Sequence, residues 1–173
     1  SVFAGLTHLT RDEDVEHFSP DSVLLVNGIG MLPRSTFRQR INQKFLELGY
    51  QFETVIASDA HVSPFAIIHA GVQILSGARV QTGAQIAGHT IVNSCALVEH
   101  DCQIGAYNHI APKATLFGEI HTEENVFIGA NATLIQGIVL ESQSVVGAGA
   151  ILTQSLSSGY TCYPAHAFPK KNY

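Results

Sequence analysis

From Val62 onward, aliphatic residues recur at every sixth position: Val62, Ile68, Ile74, Val80, Ile86, Val92, Val98, Ile104, Ile110, Leu116, Ile128, Leu134, Leu140, Val146 and Leu152, with Thr122 the one polar member of the series. A second series lies four residues after each of these, running from Ala66 through Cys102 and Asn108 to Ala150, and is small or apolar at nearly every position. Neither the 3.6-residue period of an amphipathic helix nor the alternation of a half-buried strand produces a beat of six. A chain that bends once per hexad does. Such repeats predict a parallel β-helix in which each hexad forms one short side, three hexads close a triangular coil of about 18 residues, and the coils stack. The aliphatic residue points into the prism and the small one packs at the bend. Glycines at Gly71, Gly77, Gly83, Gly105, Gly129 and Gly147 are expected to supply backbone freedom at the bends.

The first third of the chain follows a different rule. Asp21–Gly30, DSVLLVNGIG, reads as a buried strand entering a glycine turn. A helix is predicted next, with Phe37, Ile41, Phe45 and Leu48 on one face and Gly49 as its C-cap, and then a strand over Phe52–Ala57. Strand, glycine loop, helix and strand make a βαβ unit, and such a loop offers backbone N–H groups to a phosphate or forms a plain tight turn. The full GxGxxG fingerprint is absent, so Gly28 and Gly30 are candidate substrate contacts on a weak signal.

The stretch Asp59–Pro64, DAHVSP, marks the change to hexads, which divides the chain into an N-terminal α/β unit at 1–58, a β-helix at 59–156 and a C-terminal cap and tail at 157–173. The sequence begins on SVFA, apolar and strand-like, without an initiator methionine, so the N-terminal unit is expected to be truncated. The tail carries Pro164, Pro169 and a Lys170–Lys171 pair, a solvated terminus or a contact for an anionic phosphate.

Bulk properties narrow the function. A composition of 46% hydrophobic and 13% charged residues suits a well-buried chain without a membrane span, and no targeting segment is visible. The net charge of −5 argues against a nucleic-acid partner, which would require a clustered basic face. Small molecules and further copies of the chain are the expected partners. Cys95, Cys102 and Cys162 form no CxxC pair, so neither a disulfide framework nor a zinc ribbon is indicated, and a cytoplasmic location is expected. Cys102 falls on the inward series as a packing residue.

The residues that interrupt the repeat carry the chemistry. Glu99, His100 and Asp101 lie between inward-facing Val98 and Cys102, which puts His100 on a turn or outer edge with carboxylates on both sides. Those carboxylates hold the imidazole and raise its basicity. Asn93 precedes His100 by seven residues and His109 follows it by nine. A coil of about 18 residues puts Gly118 directly above His100, leaving open space over the ring and a backbone N–H beside it, suited to an oxyanion or simply to steric relief.

The segment NSCALVEHDCQIGAYNHIAP, together with VNGIG and AHVSP upstream and FIGANATL and VVGAGAIL downstream, resembles the bacterial sugar acyltransferases related to sialic acid O-acetyltransferases, and most of all the nucleotide-linked 4-amino-sugar N-acetyltransferases. The resemblance spans nearly the whole chain. It implies a left-handed parallel β-helix of hexapeptide repeats with a small, partial Rossmann-like α/β unit. It also implies acetyl-CoA as co-substrate, no metal, and a homotrimer with intersubunit sites in bacterial surface-glycan synthesis. By the same resemblance His100 is the general base and Asp101 its partner, Asn93 places the sugar, His109 contacts acetyl-CoA, and Gly118, Ala130 and Ala148 line the cofactor groove. The family's upstream strand and glycine-rich loop are not in this chain, an acidic pair is not evident in GLTHLTRDED, and the GxPA turn reads CYPA at Cys162–Ala165.

The function expected is N-acetylation of a nucleotide-linked, UDP-type 4-amino-4,6-dideoxy sugar, with sugar or sialic acid O-acetylation as the alternative. A zinc enzyme resembling the γ-type carbonic anhydrases is disfavoured, because Gly105 and Ala114 stand where an H-x4-H spacing from His100 or His109 would need histidine. A scaffold without catalysis leaves the EHD constellation unexplained.

Overall fold

The computed structural model describes residues 4–165; the first three residues of the SVFA segment and the Lys170–Lys171 pair lie outside them. Almost every hexad forms a two-residue strand, and the strands assemble into three parallel sheets that are the sides of a prism. Side A stacks six strands from His61–Val62 to Ile151–Leu152, including Leu97–Val98 and Thr115–Leu116. Side B stacks five, from Ile67–Ile68 to Val139–Leu140. Side C stacks seven, from Val55–Ile56 to Thr161–Cys162, including Ile91–Val92 and His109–Ile110. Val98 pairs with Val80 below and Leu116 above, so each coil is 18 residues. The fold is the left-handed parallel β-helix of about six turns, with a small helix and strand region ahead of it.

The core is the aliphatic series: Ile74, Val80, Ile86, Val92, Val98, Ile110, Leu116, Ile128, Leu134 and Leu140 are fully buried, and the small series fills the space beside them. Leu134→Ala opens a cavity among rigid neighbours and is expected to cost about 2–5 kcal/mol, read from the denaturant midpoint. Thr122, the exception in the aliphatic series, is buried without penalty because its hydroxyl accepts bonds from the Asn108 amide and the Gly105 N–H. Asn108 in turn accepts from Val126 N–H at 2.7 Å. Cys102 is buried as expected; its thiol donates to the Phe117 carbonyl, and burial pushes its pKa to about 11.

The bends differ from expectation in one respect. Every sixth residue from Gly71 to Gly149 has left-handed backbone, but nine of these fourteen positions, Asp101 among them, are not glycine. Cross-coil hydrogen bonds hold them there: Asp101 N–H to Thr82 O at 3.0 Å, Glu119 N–H to His100 O at 3.0 Å. Gly105, Gly129 and Gly147 are not among them and contribute no left-handed bend. They are glycine because of close approach, since a Cβ at 105 or 129 would strike the backbone of the next coil and one at 147 would meet Pro164.

The N-terminal unit is a βαβ of β1 (Leu24–Leu25), α1 (Phe37–Glu47) and β2 (Gln51–Phe52), with β1 and β2 parallel. The strand expected over Asp21–Gly30 shrinks to two residues because Pro20–Ser22 forms a 3₁₀ turn ahead of it and the Asn27 side chain folds back onto Ile29 N–H behind it. The second expected strand divides: Gln51–Phe52 belongs to the βαβ unit, while Val55–Ile56 is already the first strand of side C. Gly49 ends α1 in left-handed backbone, with Tyr50 N–H bonded to Phe45 O. The helix buries only part of the stripe expected of it: Phe45 is buried and Ile41 packs against the same cluster. Phe37 and Leu48 are exposed, and the buried set is Arg38, Asn42 and Phe45, because Arg38 and Asn42 bind the polar loop after β1. This unit sits on side C, where Gln73 and His109 bond to carbonyls of its loop and Phe52 meets His89 edge-on at 5.3 Å.

Candidate functional site

Two edges of side A carry the candidate residues. At the A–B edge, the turn Glu99–Cys102 joins Leu97–Val98 to Gln103–Ile104, and its left-handed Asp101 brings the carboxylate back beside His100. Nδ1 of His100 donates to Asp101 Oδ2 at 2.9 Å, which leaves the lone pair on Nε2. The ring is more than half exposed and lies over Gly118, where a Cβ would come within 2.6 Å of Nε2. The stacking inferred from the 18-residue coil is therefore what the structure contains. Among the described residues no acceptor is bonded to Gly118 N–H. The hydrogen bond to Asp101 raises the imidazole pKa above its ordinary value; slight desolvation opposes it, and the charges of Asp101, Glu99 and Glu119 add to it.

At the C–A edge, Asn93 directly follows the strand Ile91–Val92, and Ser94, Pro112, Ala130 and Ala148 stack coil on coil, shown by Lys113 N–H to Ser94 O, Asn131 N–H to Pro112 O and Gly149 N–H to Ala130 O at 2.8–3.0 Å. The Asn93 amide donates from Nδ2 to Nε2 of His109 at 3.0 Å and accepts Ser94 N–H at 2.7 Å. His109 is buried, and its Nδ1–H donates to the Met31 carbonyl at 3.1 Å. Burial lowers its pKa; the Met31 bond acts the other way, and the positive charge of Arg38 lowers it further. His109 is therefore a neutral imidazole protonated on Nδ1.

The structure brings His100, Asp101 and Gly118 together on one edge, and Asn93, His109, Ala130 and Ala148 along the other. It does not bring the two sets to one point: a full side of the prism intervenes, roughly 15–20 Å for a hexad at about 3.3 Å per extended residue. Gly28 and Gly30 lie in the loop after β1, and a Cβ at either position would meet no atom within 4 Å, so each faces open space. Gly28 lines a cleft of about 360 Å³ with Thr10, Arg11, Val26 and Asn27. Among the described residues no group of three or more His, Cys, Asp or Glu side chains is arranged to hold a metal, and no helix is long and apolar enough to cross a membrane. The residue that sequence reasoning missed is Arg38. Its signal was polar spacing: Arg38 and Asn42 share the buried helical face with Phe45.

Residues 120–154 match the family described as the hexapeptide repeat of succinyl-transferase. The acetyltransferase domain of PglB from Neisseria gonorrhoeae, solved with acetyl coenzyme A, superposes with a TM-score of 0.83 at 30% identity over 91% of this chain and 76% of that one. PerB from Caulobacter crescentus, solved with CoA and GDP-perosamine, gives a TM-score of 0.72 at 28% identity over 75% of this chain and 63% of that one. The GDP-perosamine N-acetyltransferase of Escherichia coli O157:H7 is 32% identical over 95 residues, 55% of this chain and 43% of that protein. The chain thus matches less than half the length of this curated relative. It belongs to the hexapeptide-repeat acetyltransferases.

Proposed function

We propose that this protein transfers the acetyl group of acetyl-CoA to the amine of a nucleotide-linked 4-amino-4,6-dideoxy sugar, and that it does so as a homotrimer. The observation that carries the reading is the His100–Asp101–Gly118 constellation: an imidazole with its Nε2 lone pair outward, held by a carboxylate, under open space. The neutral amine attacks the thioester carbonyl carbon, Nε2 of His100 takes the amine proton, and the C–S bond breaks as the thiolate leaves and recovers a proton to give CoA. Gly118 N–H is free to face the carbonyl oxygen as charge develops on it. The Asn93 and His109 edge, with Ala130 and Ala148, receives the acetyl-CoA arm and the sugar. Because that edge and the His100 edge are a prism side apart, the site closes only when a neighbouring copy lays one edge against the other. The cleft beside Gly28 takes the nucleotide.

An amine acceptor is favoured over sialic acid by charge. Glu99, Asp101 and Glu119 surround His100 with negative potential, which attracts a sugar ammonium and repels a carboxylate. For the nucleotide, one relative named for GDP-perosamine and another solved with it favour GDP over the UDP expected from sequence. The test is release of CoA thiol with GDP- and UDP-linked 4-amino-4,6-dideoxy sugars and with free sialic acid. Turnover on a nucleotide amino sugar is expected, reduced by on the order of 100-fold or more in His100→Ala. Turnover on sialic acid alone would transfer the assignment to O-acetylation.

The His100 pKa also fixes the sign of a pH effect. The base works unprotonated, so activity falls as pH drops through a value above the ordinary histidine value of about 6.5. In Asp101→Asn that acid limb is expected to move to lower pH while the plateau rate drops, measured as kcat/KM from pH 5.5 to 9. An unmoved limb would remove Asp101 from the mechanism.

A further inference from the structure

One run of hydrogen bonds connects α1 to the Asn93 edge. Arg38, in the first turn of α1, is 4% exposed, and among the described residues no carboxylate pairs with it. Its Nη1 donates to the carbonyls of Asn27 at 2.8 Å and Ile29 at 2.5 Å, while Nε and Nη2 are buried without partners. A guanidinium committed in this way to two carbonyls of one loop, at the expense of leaving other donors unmet, fixes that loop firmly. Gln73 ties the same Asn27 carbonyl to side C at 2.8 Å. Two residues beyond Ile29, the Met31 carbonyl accepts from Nδ1–H of His109, which leaves Nε2 as the acceptor for Asn93. With Oδ1 held by Ser94 N–H, the Asn93 amide is fixed at both ends and has one Nδ2–H left over for a ligand.

We propose that Arg38 is a positioning residue for Asn93, acting through the Asn27–Met31 loop and the tautomer of His109. What Asn93 does for catalysis rests on the acetyltransferase reading; the linkage itself does not. The chemistry is one of donor and acceptor count. A protonated His109 carries N–H on both nitrogens, so Nε2 would confront the Asn93 donors, and the amide would have to turn over and give up Ser94. The positive charge of Arg38 opposes that protonation. The other contacts of the ring, the Met31 carbonyl, the Asn93 amide and the edge of Phe127 at 5.1 Å, are uncharged. Arg38 itself faces Tyr107 and His89, with Glu124 farther out beside Tyr107. The loop that carries Gly28 and Gly30 thus sets the orientation of an amide at the edge of side A.

The test is NMR of the ring nitrogens in the full chain labelled with ¹⁵N-histidine, from pH 5.5 to 8.5. His109 is expected as the Nδ1–H tautomer, neutral across most of this range. Arg38→Met is expected to raise the pH at which His109 titrates and to mix its tautomers, with Arg38→Lys recovering part of the wild-type behaviour. Arg40→Met, on the exposed side of the same helix, should leave it unchanged. In the thiol-release assay Arg38→Met should lose on the order of 10- to 100-fold in kcat/KM and gain a second acid limb. An Nε2–H tautomer in the wild type, or identical His109 titration in Arg38→Met, would overturn the proposal. If Arg38→Met does not fold, the wild-type tautomer and the Arg38→Lys titration decide it. The expected NMR behaviour without acetyl transfer to any sugar would sink the functional reading and leave this linkage standing.

Discussion

Gly118→Ala is expected to reduce acetyl transfer on the order of 100-fold while the solenoid stays folded. The backbone at 118 is not left-handed, so alanine meets no conformational penalty there. Its Cβ, however, would come 2.5 Å from Cε1 and 2.6 Å from Nε2 of His100, distances that atoms in real contacts do not adopt. The imidazole is the free end of a half-exposed side chain, so it is the ring that moves, by an ångström or more, and its bond to Asp101 lengthens or breaks. A displacement of that size is worth about 100-fold when the group must meet a proton in a defined place. Thiol release measured alongside the thermal midpoint separates this from unfolding. Wild-type kcat/KM in a folded Gly118→Ala protein would mean that the ring position seen here is not the working one.

The second large effect comes from mixing defective copies. His100→Ala and Asn93→Ala proteins, each strongly impaired alone, are expected to regain about a quarter of wild-type activity when co-expressed in equal amounts and assembled as the proposed homotrimer. The figure is the chance that one copy supplies an intact His100 and its neighbour an intact Asn93 at a shared site, one half times one half. The physical ground is the prism side between the two edges, which no side-chain movement spans. If both residues served a site within one chain, every site in the mixture would carry a lesion and no activity would return. The assay therefore reads the location of the site without a structure of the assembly.

Much of this architecture was legible in the sequence because it is written in a single period. Fifteen aliphatic residues six apart leave one arrangement in which all face the interior, and the 18-residue coil then stacks His100 on Gly118 by arithmetic. His100 and Asp101 could be read for the same reason, as polar residues at a bend where solvent is within reach. The βαβ unit was harder. Leu24, Leu25 and Val26 look like the middle of a buried strand, yet Leu24 and Val26 are exposed, and the 3₁₀ turn at Pro20 and the Asn27 side-chain bond confine the strand to two residues. Apolar spacing also misjudged α1, since a helix that packs on a polar loop buries Arg38 and Asn42 in preference to Phe37. The division of the site between two edges follows from which bend each residue occupies. Local motifs do not contain that information, because it depends on counting hexads between them.

The 18-residue spacing of the stacked strands also restricts how such a chain can change length. One extra hexad inserted after His109 would rotate everything beyond it by one side of the prism, carrying Ala130 and Ala148 away from the edge that holds Asn93. Two would do the same in the other sense. Only a whole coil adds height and returns every later residue to its own edge. Insertions and deletions in this molecule are therefore quantised, and variants that keep activity should differ from it by eighteen residues or by loops that bulge from a corner outside the count.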